Sequence, residues 1–92
     1  MIRRRQFLNE GRVQGVGFRH WAARSAQKLN LTGLVRNLPE GSVEVQAQGS
    51  EQSVNVLDNL LRKGPSSARV VRVTAIDCPL KESEDSFLVR HF

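Results

Sequence analysis

Leu34-Val35-Arg36-Asn37-Leu38-Pro39-Glu40-Gly41-Ser42-Val43-Glu44-Val45-Gln46-Ala47-Gln48 reads as strand, turn, strand. Leu34–Asn37 is the first arm, and Leu38-Pro39-Glu40-Gly41 carries turn residues. From Ser42 to Gln48 the chain alternates, with Val43, Val45 and Ala47 on one side. That is a hairpin. Upstream, Phe18, Trp21, Ala22, Ser25, Ala26 and Leu29 recur at helical spacing, which predicts a helix over 18–29. Asn30 suits a left-handed cap, with Leu31 placed to fold back on the last turn. Downstream, Gly49 ends the hairpin and Ser50 is a good N-cap with Glu51 in the first turn. Val54, Leu57, Leu60 and Leu61 give a second amphipathic helix, stopped by Gly64-Pro65.

The hairpin between two helices sets the architecture, and the outer strands complete it. Arg69 to Ile76 reads as a strand with Val71, Val73 and Ala75 on one side and Val70 and Ile76 less regular. Lys81 to Ser86 is a charged loop, and Phe87 to Phe92 a final short strand. Residues 3–10 make a poor strand: Phe7 and Leu8 are adjacent, and Arg5 and Asn9 fall in phase with Phe7. This strand is expected to be short or loosely packed. The order is β-α-β-β-α-β plus one strand. Its natural packing is an α+β, ferredoxin-like βαββαβ sandwich, an antiparallel sheet with two helices on one face and an extra C-terminal edge strand. At this length, residues 1–92 are expected to be one domain.

The net charge is +5, and all of it lies in the first half. Residues 1–46 hold eight Lys/Arg and three Asp/Glu, whereas residues 47–92 hold six of each. This placement favours an anionic partner, with a solubilising surface as the alternative reading that charge alone leaves open. One cysteine, Cys78, rules out an internal disulfide and fits a reducing cytoplasm. Met1-Ile2-Arg3-Arg4-Arg5-Gln6 lacks the apolar run of a signal peptide or membrane span, so no membrane partner is expected.

The basic half contains Gly11-Arg12-Val13-Gln14-Gly15-Val16-Gly17-Phe18-Arg19. Glycines let a backbone approach a ligand and turn its N–H groups inward, and a helix N-terminus adds positive potential and free donors. Gln14, Gly15, Val16, Gly17, Phe18 and Arg19 thus suit an anion cradle, with Arg19 adding a planar charged fork for a phosphoryl group. The alternative is a glycine-rich turn with a solvent-facing arginine. The nucleotide P-loop is excluded because Val16 breaks its pattern and no lysine follows; G-x-G-x-x-G fails at His20. Asn37, at a strand end before a turn, reads either as a turn cap or as an amide that holds a water.

Gly11–Arg19, followed by Gly33–Gly49, resembles the two-part pattern of the acylphosphatases. Gly64-Pro65-Ser66-Ser67-Ala68-Arg69-Val70-Val71-Arg72-Val73 is also similar to that family, so the likeness runs over about residues 11–73. The resemblance implies hydrolysis of the carboxyl–phosphate bond of a small-molecule acyl phosphate to carboxylate and inorganic phosphate. It implies that Arg19 binds the phosphoryl group with the amides of Gln14, Gly15, Val16, Gly17 and Phe18, and that Asn37 orients the attacking water. It implies no metal and no organic cofactor. A monomer without nucleic-acid partners is expected.

Other residues are read as structural. His20 is assigned to packing or surface, Trp21 to packing on the core face of the helix, His91 to strand surface, Cys78 to a structural thiol and Leu38 to the turn or pocket wall. An RNA-binding module of the same topology needs aromatics on its central strands; Ser42 to Gln48 has none, and the chain has no tyrosine. A domain that only senses phosphate would keep Arg19 without depending on Asn37, so the presence of both favours an enzyme.

Overall fold

The computed structural model describes residues 1–91. In chain order the elements are β1 Ile2–Arg12, α1 Phe18–Lys28, β2 Thr32–Asn37, β3 Val43–Ser50, α2 Glu51–Lys63, β4 Arg69–Asp77 and β5 Phe87–Arg90. The sheet order is β4-β1-β3-β2-β5. The first four strands pair antiparallel, as expected for the ferredoxin-like sandwich. The extra C-terminal strand is at the edge, and it joins parallel to β2, so the whole sheet is mixed. The expected continuation of that strand to Phe92 lies outside the described residues.

Both helices cover one face. Phe18, Ala22 and Ala26 of α1 and Val54, Leu57 and Leu61 of α2 meet Phe7, Val35, Val43, Val45, Ala47 and Phe87 in one buried cluster. Each large side chain removed from water there contributes about 1.5–3 kcal/mol. Leu60, assigned to the apolar face of α2, is at its margin and 37% exposed. Helix α1 ends as its sequence predicts. Asn30 takes φ 59°, and the Leu31 and Asn30 amides donate to the carbonyls of Ala26 and Gln27. At α2, the Ser50 hydroxyl accepts from the Ser53 amide.

The N-terminal strand corrects the sequence expectation. Far from short or loose, β1 is 11 residues long and lies between β3 and β4. Several of its polar residues are paired and withdrawn from water. Asn9 is fully buried and its Nδ2 donates to the Val43 carbonyl at 3.0 Å. Arg5 lies over the Phe7 ring, 5.9 Å from its centroid, and reaches Asp58 of α2 at 3.5 Å. On the opposite face Arg4 is 1% exposed, with Nη1 and Nη2 donating to the two carboxylate oxygens of Glu84 at 2.7 and 3.2 Å. Gln46 and Gln48 complete its shell.

Strand β4 carries the second correction. The β1–β4 register shifts at Glu10/Gly11: Glu10 faces Arg72, but Gly11 faces Val70. Val71 is the extra residue, a β-bulge that reverses the alternation. Val70 turns toward the core beside Val73, and Val71 is 74% exposed. Gly11 makes this possible, because a Cβ there would collide with the Arg69 carbonyl.

Candidate active site

Strands β1 and β2 both run antiparallel to β3, so they point the same way and both finish at the same end of the sheet. That end holds Arg12 and Asn37. It also receives the start of β4, because β4 opposes β1, and the end of β5, because β5 parallels β2. Positive charge collects there: Arg12 and Arg69 stand opposite each other in register, Arg19 opens α1 and Arg90 ends β5. Arginines from both halves of the sequence thus meet at one end, where they draw in anions.

From Arg12 the chain enters the loop that leads to α1. Val13 is buried and anchors it. Gly15 and Gly17 take φ of 74° and 78°, and Gly17 caps the helix. A left-handed residue among right-handed neighbours curls successive N–H groups into a concavity that suits an anion. A Cβ at either glycine would meet nothing within 4 Å, so it is the backbone conformation rather than space that asks for glycine. Phe18 is buried against Trp21, ring centroids 5.4 Å apart, so what it offers the loop is main chain.

A cavity of about 160 Å³ opens here. Val13, Gly15, Gly17 and Phe18 line one side, with Arg19, His20 and Asn37 around the rest. Size does not select it: a wider hollow of about 510 Å³ beside α2 is lined by Met1, Glu51 and neutral side chains, with no arginine. Among the described residues, no cluster of His, Cys, Asp or Glu is suited to hold a metal ion.

Of the residues assigned from sequence, Gly15, Gly17, Phe18, Arg19 and Asn37 come together at this cavity. Gln14 and Val16 do not line it. Gln14 instead ties the loop to the hairpin, its Nε2 donating to the carbonyls of Leu38 and Ser42 at 2.8 and 2.9 Å. Leu38 and Ser42 also bond each other through the backbone, closing the turn that follows Asn37. The Val16 carbonyl accepts from the Ser67 hydroxyl at 2.7 Å, which fixes the loop to the turn before β4. The Asn37 carboxamide makes no hydrogen bond among the described residues, which goes against the turn-cap reading.

Arg19 is held from one side. Its Nη1 donates to the Arg90 carbonyl at 2.9 Å and lies 3.2 Å from His91 Nδ1. No other hydrogen bond engages its guanidinium among the described residues, so the Nε–Nη2 edge is open. Sequence reasoning missed this contact, having assigned His91 to strand surface. It spans the length of the chain and depends on the parallel pairing of β5 with β2, for which no local pattern exists.

The acylphosphatase family model matches residues 5–89. The chain belongs to the acylphosphatase family. The acylphosphatase of Synechococcus sp. strain CC9311 is 48% identical over 90 residues, covering 98% of this chain and 99% of that protein. That of Nitratidesulfovibrio vulgaris strain DP4 is 45% identical over 89 residues, covering 95% and 89%. The crystal structure of acylphosphatase from Bacillus subtilis superposes with a TM-score of 0.91 at 29% identity, covering 98% of this chain and 99% of that one. The protein is therefore an acylphosphatase, an enzyme that hydrolyses small-molecule acyl phosphates. Among its described residues, no helix is long and apolar enough to cross a membrane.

Proposed function

We propose that Arg19, Asn37 and the main-chain amides of residues 14–19 carry the hydrolysis in this acylphosphatase. The amides and the open edge of Arg19 hold the phosphoryl oxygens. Asn37 holds a water through its carboxamide, which accepts from and donates to it. The water attacks phosphorus, the bond from phosphorus to the acyl oxygen breaks, and its electron pair leaves on the carboxylate. A carboxylate has a pKa of roughly 4, so it departs without a general acid. Phosphoryl transfer through a loose transition state is mainly positioning and charge stabilisation, and the phosphoryl oxygens of the substrate take the proton of the water. The reaction so written needs neither a metal nor an organic cofactor.

One observation supports this reading above the rest: the glycine loop, Arg19 and Asn37 line the same cavity, although they come from two separate segments. We further propose that residues 1–92 act as one acylphosphatase-like unit, monomeric and cytoplasmic. Nucleic acid is not its ligand. The central strands present Arg4, Gln6, Glu44 and Gln46 on the sheet face away from the helices, where an RNA-binding sheet would show aromatics.

Steady-state hydrolysis of benzoyl phosphate tests the assignment. Arg19→Ala should lose about 100- to 1,000-fold in kcat/KM, the usual cost of a preorganised charge contact. Arg19→Lys should recover little, because an ammonium cannot copy the fork. Asn37→Ala should lose kcat more than it raises KM. A chelator should leave the wild type unchanged. Full activity in both alanine variants, with unaltered urea midpoints, ends the assignment; loss of activity with chelator ends the cofactor-free mechanism.

A further inference from the structure

At the end of the sheet that carries the glycine loop, Arg12 and Arg69 are exposed, and neither makes an ion pair or a side-chain hydrogen bond among the described residues. Other arginines of the sheet are matched. Arg3, Arg4, Arg5, Arg36 and Arg72 each meet a carboxylate oxygen, at 2.6 to 3.5 Å. The carboxylates closest along the two strands and the hairpin are engaged: Glu10 with Arg72 at 3.1 Å, and Glu40 with the Ser42 hydroxyl at 2.9 Å. Strand β5, after which the described chain ends, is at the other edge of the sheet, three strand spacings or about 14 Å from β1.

The bulge of β4 brings the two arginines together. Had the register of Glu10 and Arg72 continued, Arg12 would face Val70; the shift at Glu10/Gly11 puts Arg69 opposite it instead. Their neighbours Val13 and Val70 turn to the core, so Arg12 and Arg69 share the opposite face. Residues directly opposed on two strands have Cβ atoms about 5 Å apart, and like charges so placed destabilise the pair. Two guanidiniums at that spacing can close on one carboxylate or phosphate, and such an anion offsets their repulsion.

Both strands tie this doublet to the cradle. Arg12 adjoins Val13, which lines the cavity. Two residues before Arg69, the Ser67 hydroxyl donates to the Val16 carbonyl of the glycine loop at 2.7 Å. A small acyl phosphate held by its phosphoryl group among the loop amides thus has two unengaged guanidiniums beside it.

From this juxtaposition we propose that Arg12 and Arg69 form a second anion subsite, and that the preferred substrates are acyl phosphates whose acyl half carries a further carboxylate or phosphate. The proposal rests on the glycine loop and Arg19 holding the phosphoryl group. It assigns the other half of the substrate to the doublet.

Matched substrates test it. Benzoyl phosphate, 4-carboxybenzoyl phosphate and 4-phosphonobenzoyl phosphate differ only in the group far from the scissile bond. The quantity read is kcat/KM for each anionic substrate divided by that for benzoyl phosphate, at low ionic strength. Comparing this ratio between proteins cancels the electronic effect of the substituent. In the wild type it should exceed the ratio in the Arg12→Gln/Arg69→Gln double variant by about three- to tenfold, carried mainly by KM. The single variants should fall between, and salt should narrow the gap. The anion with the larger gap, carboxylate or phosphonate, tells which group the subsite prefers. Arg24→Gln removes an exposed charge from α1 and should keep the wild-type ratio.

An undiminished ratio in the double variant overturns the subsite. An equal fall in Arg24→Gln also overturns it, because overall charge rather than the doublet would then select the substrate. Urea unfolding gives a reading that no substrate touches: Arg69→Gln relieves the like-charge contact and should hold or raise the midpoint. A marked fall would give the doublet a structural role and overturn the proposal. If Arg19→Ala still turns over benzoyl phosphate, the reading of the cradle has itself failed. If Arg19→Ala is inactive and the ratio persists in the double variant, that reading stands and the subsite alone falls.

Discussion

The sheet face under the helices presents Phe7, Val35, Val43, Val45 and Ala47, all without exposed surface. The opposite face presents Arg4, Gln6, Glu44 and Gln46, and it too is largely withdrawn from water, with Arg4 1% and Glu44 3% exposed. Topology explains why. Strands β4 and β5 are at opposite edges of the sheet, so the connecting residues 78–86 must cross it. They pass over the end of the sheet where Arg4 and Gln48 pair: the Cys78 amide donates to the Arg4 carbonyl, and Gln48 exchanges two hydrogen bonds with the Lys81 backbone. One face is buried by apolar contact and the other by a polar network under a strap. An apolar face is held by many small contributions, a polar one by a few that must all be present.

The largest effect belongs to the apolar face. Phe7→Ala should cost about 3–5 kcal/mol in urea unfolding. A cost below about 1 kcal/mol would return β1 to the loosely packed strand that its sequence suggested. On the polar face, Arg4→Met should cost about 2–4 kcal/mol, a little under the figure for a fully buried pair because Glu84 keeps some solvent. The cost arises from a carboxylate left unpaired, so adding Glu84→Leu should recover most of it. If the double variant is no more stable than Arg4→Met, the pair does not hold the strap.

The same contrast explains which parts could be read in the chain. Val43, Val45 and Ala47 alternate within seven residues, so their burial is a local pattern. The left-handed glycine turns before α1 and the place of Asn37 ahead of the hairpin turn could be read for the same reason, since each lies within a short segment. The first strand was misread because the partner of Arg4, Glu84, is 80 positions away. A buried arginine and a solvated one look alike until the partner is known. Val71 was misread because a bulge is a relation between two strands, set by Gly11 on the other one. The Arg19–His91 contact failed to show for both reasons.

A smaller effect is a pH dependence to which the polar face contributes. Burial pushes the Glu84 carboxyl up, but the hydrogen bonds from Arg4 and Thr32 and the charges of Arg4 and Lys81 outweigh it and hold it below its ordinary value. At Glu44 burial again pushes up, and Gln46, Arg36 and Gln6 together pull the carboxyl down. A carboxyl held low in the folded chain stabilises it above the unfolded pKa. That stability fades as pH falls below about 4.3 and on through the folded value. Urea midpoints should therefore drop between pH 5 and 3. The drop should be shallower in Glu84→Gln, which starts lower but has less to lose. Parallel acid limbs for the two proteins would place the titration elsewhere.

The smallest effect on stability should come where the two regions meet the cavity. Gln14 spends its carboxamide on the Leu38 and Ser42 carbonyls, joining the glycine loop to the turn behind Asn37. Gln14→Met keeps the length and loses both bonds. In a half-buried position this should cost about 1 kcal/mol. Yet it loosens the distance between the two halves of the site, and misplacement of about 1 Å is worth about 100-fold in rate. Gln14→Met should thus lose more in kcat than in stability, the reverse of Phe7→Ala assayed under conditions where both remain folded. An unchanged kcat would mean that the loop and the hairpin keep their register through the sheet alone, and that the clamp only fastens what β1 and β3 have already aligned.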